Sequence, residues 1–170
     1  MSHGVIQETA NLEYKNESGA LNESFADIFG SMVDRDDWRI GEDVMRSGGG
    51  ALRDMSDPHN GAPQGNINQG WQPSTYSERY TGSQDNGGVH INSGIPNHAF
   101  YLFATMAGMD KGKAEKVFYR ALNRYLTRSS RFVDLRLAVV RAAEELHGAN
   151  STEVNAAKSA FDQVEILDPD

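Results

Sequence analysis

The chain contains no cysteine in its 170 residues. That absence excludes a disulfide framework, a thiolate zinc site, a cysteine nucleophile and a Cys-ligated iron–sulfur cluster together. Any metal must then be held by His, Asp or Glu, and histidine is the scarce member: His3, His59, His90, His98 and His147. Positive charge is also in deficit, with 16 Lys+Arg against 24 Asp+Glu and a net charge of −8. Without a clustered basic footprint the chain is not built to grip a phosphate backbone or an acidic membrane surface. No apolar run approaches the roughly 18 residues of a membrane span. The start, Met1-Ser2-His3-Gly4-Val5-Ile6, lacks the basic and long apolar regions of a signal peptide.

What is present reads as one folded domain over residues 1–170, long enough to bury a core without disulfide or metal staples. In the stretch 18–34, Leu21, Phe25, Ile28, Phe29, Met32 and Val33 form one stripe of a helix. Residues 41–88 are rich in Gly, Pro, Asn, Ser and Gln and keep neither a helical nor a strand period, which predicts a long irregular loop, a place to look for function. Beyond it the chain is helical again. An apolar segment over 89–106 carries Pro96 in its first turns. Asp110 can cap a helix with Val117, Phe118, Ala121, Leu122 and Tyr125 on one face. The next, from about Val133, turns Leu135, Val139, Ala142, Ala143 and Leu146 inward and stops at Gly148. Ser151 can cap the last, with Val154, Ala157, Ala160, Phe161 and Val164 inward. The expectation is a mainly α domain of about five to six helices.

Candidate chemistry is sparse. Glu23 and Asp27 stand four apart and share a helix face away from the stripe, and the plain reading is a solvated acidic face. His59 and His98 read as surface residues, and His147 as a partner of helix-terminal carbonyls. The run Ser83-Gln84-Asp85-Asn86-Gly87-Gly88-Val89-His90 forces a tight turn before a helix and brings Asp85 near His90. A carboxylate beside a histidine fixes its tautomer and favours imidazolium. A capping turn with an incidental histidine is equally consistent with that spacing.

Several blocks resemble one known family. His3-Gly4-Val5, Tyr14 through Gly30, Ile40-Gly41-Glu42-Asp43-Val44, Leu52 through Pro58, Arg79-Tyr80-Thr81-Gly82 and Asp85 through Ile95 closely resemble, in order, the helical C-terminal half of thermolysin-like zinc metallopeptidases. The resemblance extends from His3 to about Val164. In that family a helix bearing H-E-x-x-H gives two zinc histidines and a catalytic glutamate, and the next helix gives a third ligand, a glutamate. The resemblance implies that His3 is the second histidine of the motif and Glu23 the third ligand, with Asp27 orienting a zinc histidine from behind. It implies that His90, oriented by Asp85 and helped by Tyr14, donates to the oxyanion of the tetrahedral intermediate. Arg53 would hold a substrate carbonyl, and Ile40, Val44 and Leu52 would line the pocket for the apolar side chain after the scissile bond.

Two departures from the family pattern carry expectations of their own. The chain begins two residues after the place of the first motif histidine and one after that of the catalytic glutamate, and the family's β-rich N-terminal half has no counterpart in it. The chain alone is therefore expected to bind zinc weakly or not at all and to cleave nothing, with that N-terminal half as its natural partner beside a peptide substrate. Its bared apolar wall around Ile40, Val44 and Leu52 is expected to self-associate. The second departure concerns calcium: Asp34, Asp36, Asp37 and Glu42 resemble part of a calcium site, but Arg39 stands where better-known members have an acidic ligand, so at most one weak site is expected. Most members of the family are secreted, which makes secretion the expectation by resemblance and a cytoplasmic place the alternative. A non-catalytic helical binding module is the competing reading of function.

Overall fold

The computed structural model describes residues 2–41, 51–61 and 70–169. Among them are seven α-helices: α1 (Ser2–Glu8), α2 (Asn16–Val33), α3 (Asp85–Asn92), α4 (Gly94–Thr105), α5 (Lys111–Arg124), α6 (Phe132–His147) and α7 (Thr152–Gln163). Between α2 and α3 run a two-residue antiparallel pair, β1 (Arg39–Ile40) with β2 (Arg53–Asp54), and two single 3-10 turns, Pro58–Gly61 and Tyr76–Glu78. The mainly α architecture is the expected one. Two helices are additional to those the periodicity marks. One is α1, too short to show a stripe. The other arises because the 89–106 segment divides at Ser93: Pro96 has no N–H for the Asn92 carbonyl, so one regular helix cannot run through, and Pro96 sits instead in the first turn of α4.

Helix ends follow the local chemistry. The Asp110 carboxylate accepts the Lys113 N–H at 2.7 Å, Ser151 Oγ accepts the Val154 N–H at 3.2 Å, and Gly148 ends α6 at φ 97°. The apolar stripes then close one core in which the Phe118 ring is shared: it meets the rings of Phe25, Phe100, Phe103 and Phe161 with centroids 4.9–6.4 Å apart. Each such fully buried side chain contributes about 1.5–3 kcal/mol by leaving water. Two stripe assignments fail at helix ends. Val33 is 90% exposed, because at 100° per residue it has drifted off the face set by Leu21 and Phe25 by the end of α2. Leu146, 41% exposed, lies in the last turn of α6, beyond the packed part of its stripe.

Candidate active site

Glu23 and Asp27 lie on α2 as the spacing requires, but they are not a solvated face. They are 7% and 4% exposed, buried by Tyr14, His90, Arg53 and Asn97, which arrive from segments the spacing could not connect. A buried carboxylate needs donors to replace water, and each of the two has its own set.

Glu23 Oε1 accepts the Tyr14 hydroxyl, and the same oxygen lies 3.6 Å from His90 Nε2. Tyr14 Oη is itself 3.1 Å from His90 Nε2. On the far side of the ring, His90 Nδ1 is 2.7 Å from Asp85 Oδ1, while the His90 backbone N–H donates to Asp85 Oδ2 at 2.7 Å. Since a carboxylate only accepts, Nδ1 carries the proton. The Tyr14 proton is committed to Glu23, so the chain Asp85–His90–Tyr14–Glu23 closes fully when Nε2 carries one as well. Burial first, and then the Glu23 carboxylate, push the Tyr14 phenol far above its ordinary range, so it stays a neutral donor. The turn that makes this possible is left-handed over four residues, with φ of 54°, 52°, 83° and 81° at Asp85, Asn86, Gly87 and Gly88. A side chain at Gly87 would strike Asn16, and one at Gly88 would strike Tyr80, so the glycines serve contact as well as conformation. The Asp85–His90 partnership expected from the sequence is thus present.

His3, on α1, places Nε2 4.0 Å from Glu23 Oε1. Its Nδ1 lies 2.8 Å from Asn22 Oδ1, and an amide oxygen can only accept, so the Nε2 lone pair faces Glu23 in the neutral ring. A tetrahedral zinc with bonds of about 2.0–2.2 Å sets two donor atoms about 3.3–3.6 Å apart, so a closure of about half an ångström would bring the pair to ligand spacing. The pair therefore fits zinc as two ligands of a His/Glu set, and a cleft of about 440 Å³ opens beside it, lined by His3, Gln7, Asn11, Leu12, Tyr14, Asn22 and Glu23. Among the described residues no group of three His, Cys, Asp or Glu is arranged to hold a metal.

Asp27 is gripped by a guanidinium fork: Arg53 Nε donates to Oδ2 and Nη2 to Oδ1, both at 2.7 Å. Asn97 Nδ2 adds a donor to Oδ2 at 2.9 Å, and Asn97 Oδ1 accepts from Ser24 Oγ at 2.7 Å. Oδ2 is then saturated, while Oδ1 keeps one lone pair for a further donor. Arg53 Nη1 makes no bond to this carboxylate, which leaves it as a donor at the site.

The remaining candidates divide. Ile40 pairs with Arg53 across β1–β2 and its carbonyl accepts the Leu52 N–H at 2.9 Å; Ile40 is half-buried and Leu52 44% exposed, so the described part of the apolar wall is open. Val44 and Glu42 lie outside the described residues. In the loop of the expected calcium ligands, Asp37 Oδ1 accepts the Arg39 N–H at 2.8 Å, and Lys111 Nζ donates to the carbonyls of Asp37 and Arg35 at 2.6 and 3.2 Å, seated 4.1 Å from the Trp38 ring centroid. The Lys111 ammonium thus draws on two carbonyls of this loop. Of the histidines read as surface residues, His59 is half-buried, stacked on Trp71 and 2.9 Å from Glu78, and His98 is half-buried with Nδ1 3.0 Å from the Met55 carbonyl. His147 faces Glu153 at 3.7 Å instead of terminal carbonyls.

Residues 10–166 match the thermolysin metallopeptidase alpha-helical domain. The chain belongs to the thermolysin metallopeptidase family. Over 174 residues it is 49% identical to a bacillolysin of Brevibacillus brevis, and over 179 residues 48% identical to a thermolysin of Alicyclobacillus acidocaldarius subsp. acidocaldarius. Each alignment covers 96% of this chain and 31% of the relative, so the chain spans about a third of the length of these thermolysin-family proteins. The precursor of protealysin, a metalloproteinase from Serratia proteamaculans, superposes with a TM-score of 0.84 at 34% identity, over 97% of this chain and 55% of that one.

Four polar residues around the site escaped the sequence reading. Asn22 sets the His3 tautomer, Asn97 and Ser24 complete the Asp27 shell, and Gln72 meets the backbone of His90. Asn22 had a local signal, since it adjoins Glu23. The other three sit in sequence contexts indistinguishable from loop or helix interior, and only their burial marks them.

Proposed function

We propose that the chain is the helical half of a zinc-dependent endopeptidase that cleaves on the amino side of apolar residues. The observation that carries this reading is the convergence of His3, Tyr14 and His90 on one oxygen of a buried glutamate, Glu23. In it, His3 and Glu23 hold the metal together with a histidine from the H-E of the preceding helix, and Asp27 presents its free Oδ1 lone pair to that histidine. Zinc, when bound there, supplies a Lewis acid for the scissile carbonyl and its water. His90 would donate from Nε2 toward the oxygen that gains charge, and Tyr14, whose proton goes to Glu23 in this structure, would turn to the same oxygen once zinc takes that carboxylate. Asp85 holds the imidazole in place through Nδ1. Arg53, anchored on Asp27, offers its spare N–H groups to a backbone carbonyl of the peptide, and Ile40, Leu52 and Val44 receive the apolar side chain. The β-rich N-terminal half is the proposed partner, the intact protein is proposed to be secreted, and the whole of 1–170 acts as one domain. Calcium has at most a weak place near Asp34, Asp37 and Glu42, because Lys111 already serves that loop.

The test is a comparison of two proteins: this chain, and this chain joined to the segment that precedes it in its relatives and ends in the His-Glu of the motif. Metal-free samples are titrated with zinc and then given a peptide with one apolar residue after the scissile bond. The joined protein should bind one zinc tightly and cleave before that residue, while the chain alone binds weakly and is inert. Tight one-to-one zinc binding by the chain alone, or inertness of the joined protein with zinc bound, would overturn the reading.

A further inference from the structure

His90 reaches Tyr14 and Glu23 from a short helix of eight residues whose first turn is left-handed, so α3 has little internal backbone bonding with which to hold its own position. Side-chain bonds must fix the ring. Asp85 holds the imidazole and the backbone N–H. The backbone carbonyl on the other side of the residue is held by Gln72, a side chain only 2% exposed that arrives from the irregular region before α3. Its Nε2 donates to the His90 carbonyl at 2.6 Å and to Ser93 Oγ at 2.9 Å. The amide orientation follows from chemistry, because a carbonyl oxygen can only accept and so faces the nitrogen. The contact is built into the packing: a Cβ at Gly94 would lie 2.6 Å from Gln72 Cβ and 2.7 Å from the Pro73 carbonyl, so the 72–73 segment is pressed against the α3–α4 joint where only glycine fits. A second buried amide clamps the same helix, with Asn92 Oδ1 accepting the Tyr80 N–H at 2.8 Å and Asn92 Nδ2 donating to the Tyr80 carbonyl at 2.9 Å.

We propose that Gln72 is a positioning residue for His90: its buried carboxamide pins the His90 carbonyl while Asp85 pins the N–H, and the two together set how far Nε2 stands from Tyr14 and Glu23. This rests on the reading of His90 as the donor to the reacting oxygen. A donor displaced by about 1 Å costs on the order of 100-fold in rate, so loss of the pin should act on turnover and leave the binding of peptide, which Arg53 and the apolar wall provide, almost unchanged.

The test is Gln72→Met, which keeps length and volume and removes both donors. In the isotope-labelled chain, the wild type should show a sharp low-field proton signal from the His90–Asp85 hydrogen bond, which broadens or disappears in the variant while far-UV helicity is retained. In the joined protein the variant should lose about 10- to 100-fold in kcat with KM within twofold. A folded variant that keeps both the low-field signal and kcat overturns the proposal. If Gln72→Met does not fold, Gln72→Asn, which keeps a buried carboxamide but draws it back by one methylene from the His90 carbonyl, is read by the same signal, and an unchanged signal there overturns it too. The NMR readout needs no proteolysis, so an inert joined protein whose His90 signal still depends on Gln72 would remove the peptidase reading and leave the positioning role standing.

Discussion

Replacing Arg53 by Met asks how much the Asp27 fork stabilises the fold. The Asp27 side chain is 4% exposed and that of Arg53 24%, and two 2.7 Å bonds join them. Removing one partner of a buried ion pair costs about 3–5 kcal/mol, because the other charge is left in a poor dielectric. Here Asn97 still donates to Oδ2, and the partly exposed arginine leaves a path by which water can reach Oδ1. The expected loss is therefore about 2–3 kcal/mol, below the full range for a sealed pair. With a urea dependence of about 2 kcal/mol per molar, the unfolding midpoint should fall by about 1–1.5 M. Asp27→Asn should lose a similar amount, since it leaves the guanidinium facing an amide. The double variant should lose less than the sum, by about 1–3 kcal/mol of coupling. The assay is urea unfolding followed by far-UV circular dichroism, with all four proteins compared at one pH. Single variants whose midpoints move by less than about 0.3 M, or losses that simply add, would refute the account of Asp27 as a charge held by that fork.

Three further outcomes follow from other parts of the fold. Burial, the largest single influence, pushes Asp54 upward, but bonds from the Ser56 hydroxyl, Asn60 and the backbone N–H groups of Asp57 and Ser56 outweigh it and hold its carboxyl below the usual range. Because the folded-state pKa lies below the unfolded one, this stabilisation is complete above about pH 4 and is lost as the pH falls through the lower value. Asp54→Asn should therefore be less stable at pH 7 and show a shallower loss on acidification, measured by thermal melts across pH 2–7. Gly19→Ala should cost about 1–3 kcal/mol by overpacking, since its Cβ overlaps Val89 and touches the Tyr14 backbone. Its calorimetric loss should come with a shifted Tyr14 ring signal, and an unchanged ring would count against the contact. Ser151→Ala removes the cap of α7 and should cost about 1 kcal/mol, or about 2–4 °C in Tm for a domain of this size; no change in Tm would show that the cap contributes nothing.

The helices were legible wherever a stripe of 3.6-residue period was long enough to average over its ends. Phe118, Val139 and Phe161 all face the core as their spacing requires, while Val33 and Leu146 fail where a stripe runs out. The site was legible only where its parts are close in sequence, as for Asp85 and His90, or where the blocks resemble the family. Spacing on α2 put Glu23 and Asp27 on one face but could not say what lies over it. That is decided by Tyr14 with His90, 76 residues apart, and by Asn97, 70 residues from Asp27. Burial of a polar side chain is a property of the partner segments, so Gln72 and Ser24 carry no local mark of their role.

The helix α2 is in effect a shaft with two loads. Phe25 engages the ring of Phe118, while Glu23 and Asp27, two positions to either side of it, carry the polar site. Two residues are about 200° of turn, so the aromatic ring and the carboxylates face opposite ways and cannot move independently. A change of volume in any of the rings around Phe118 is passed through α2 as a rotation or shift of the carboxylates. Libraries screened for loss of function should therefore return substitutions at Phe100, Phe103 and Phe161 that leave every polar contact chemically intact, and compensating changes should appear across the ring cluster before they appear at the site.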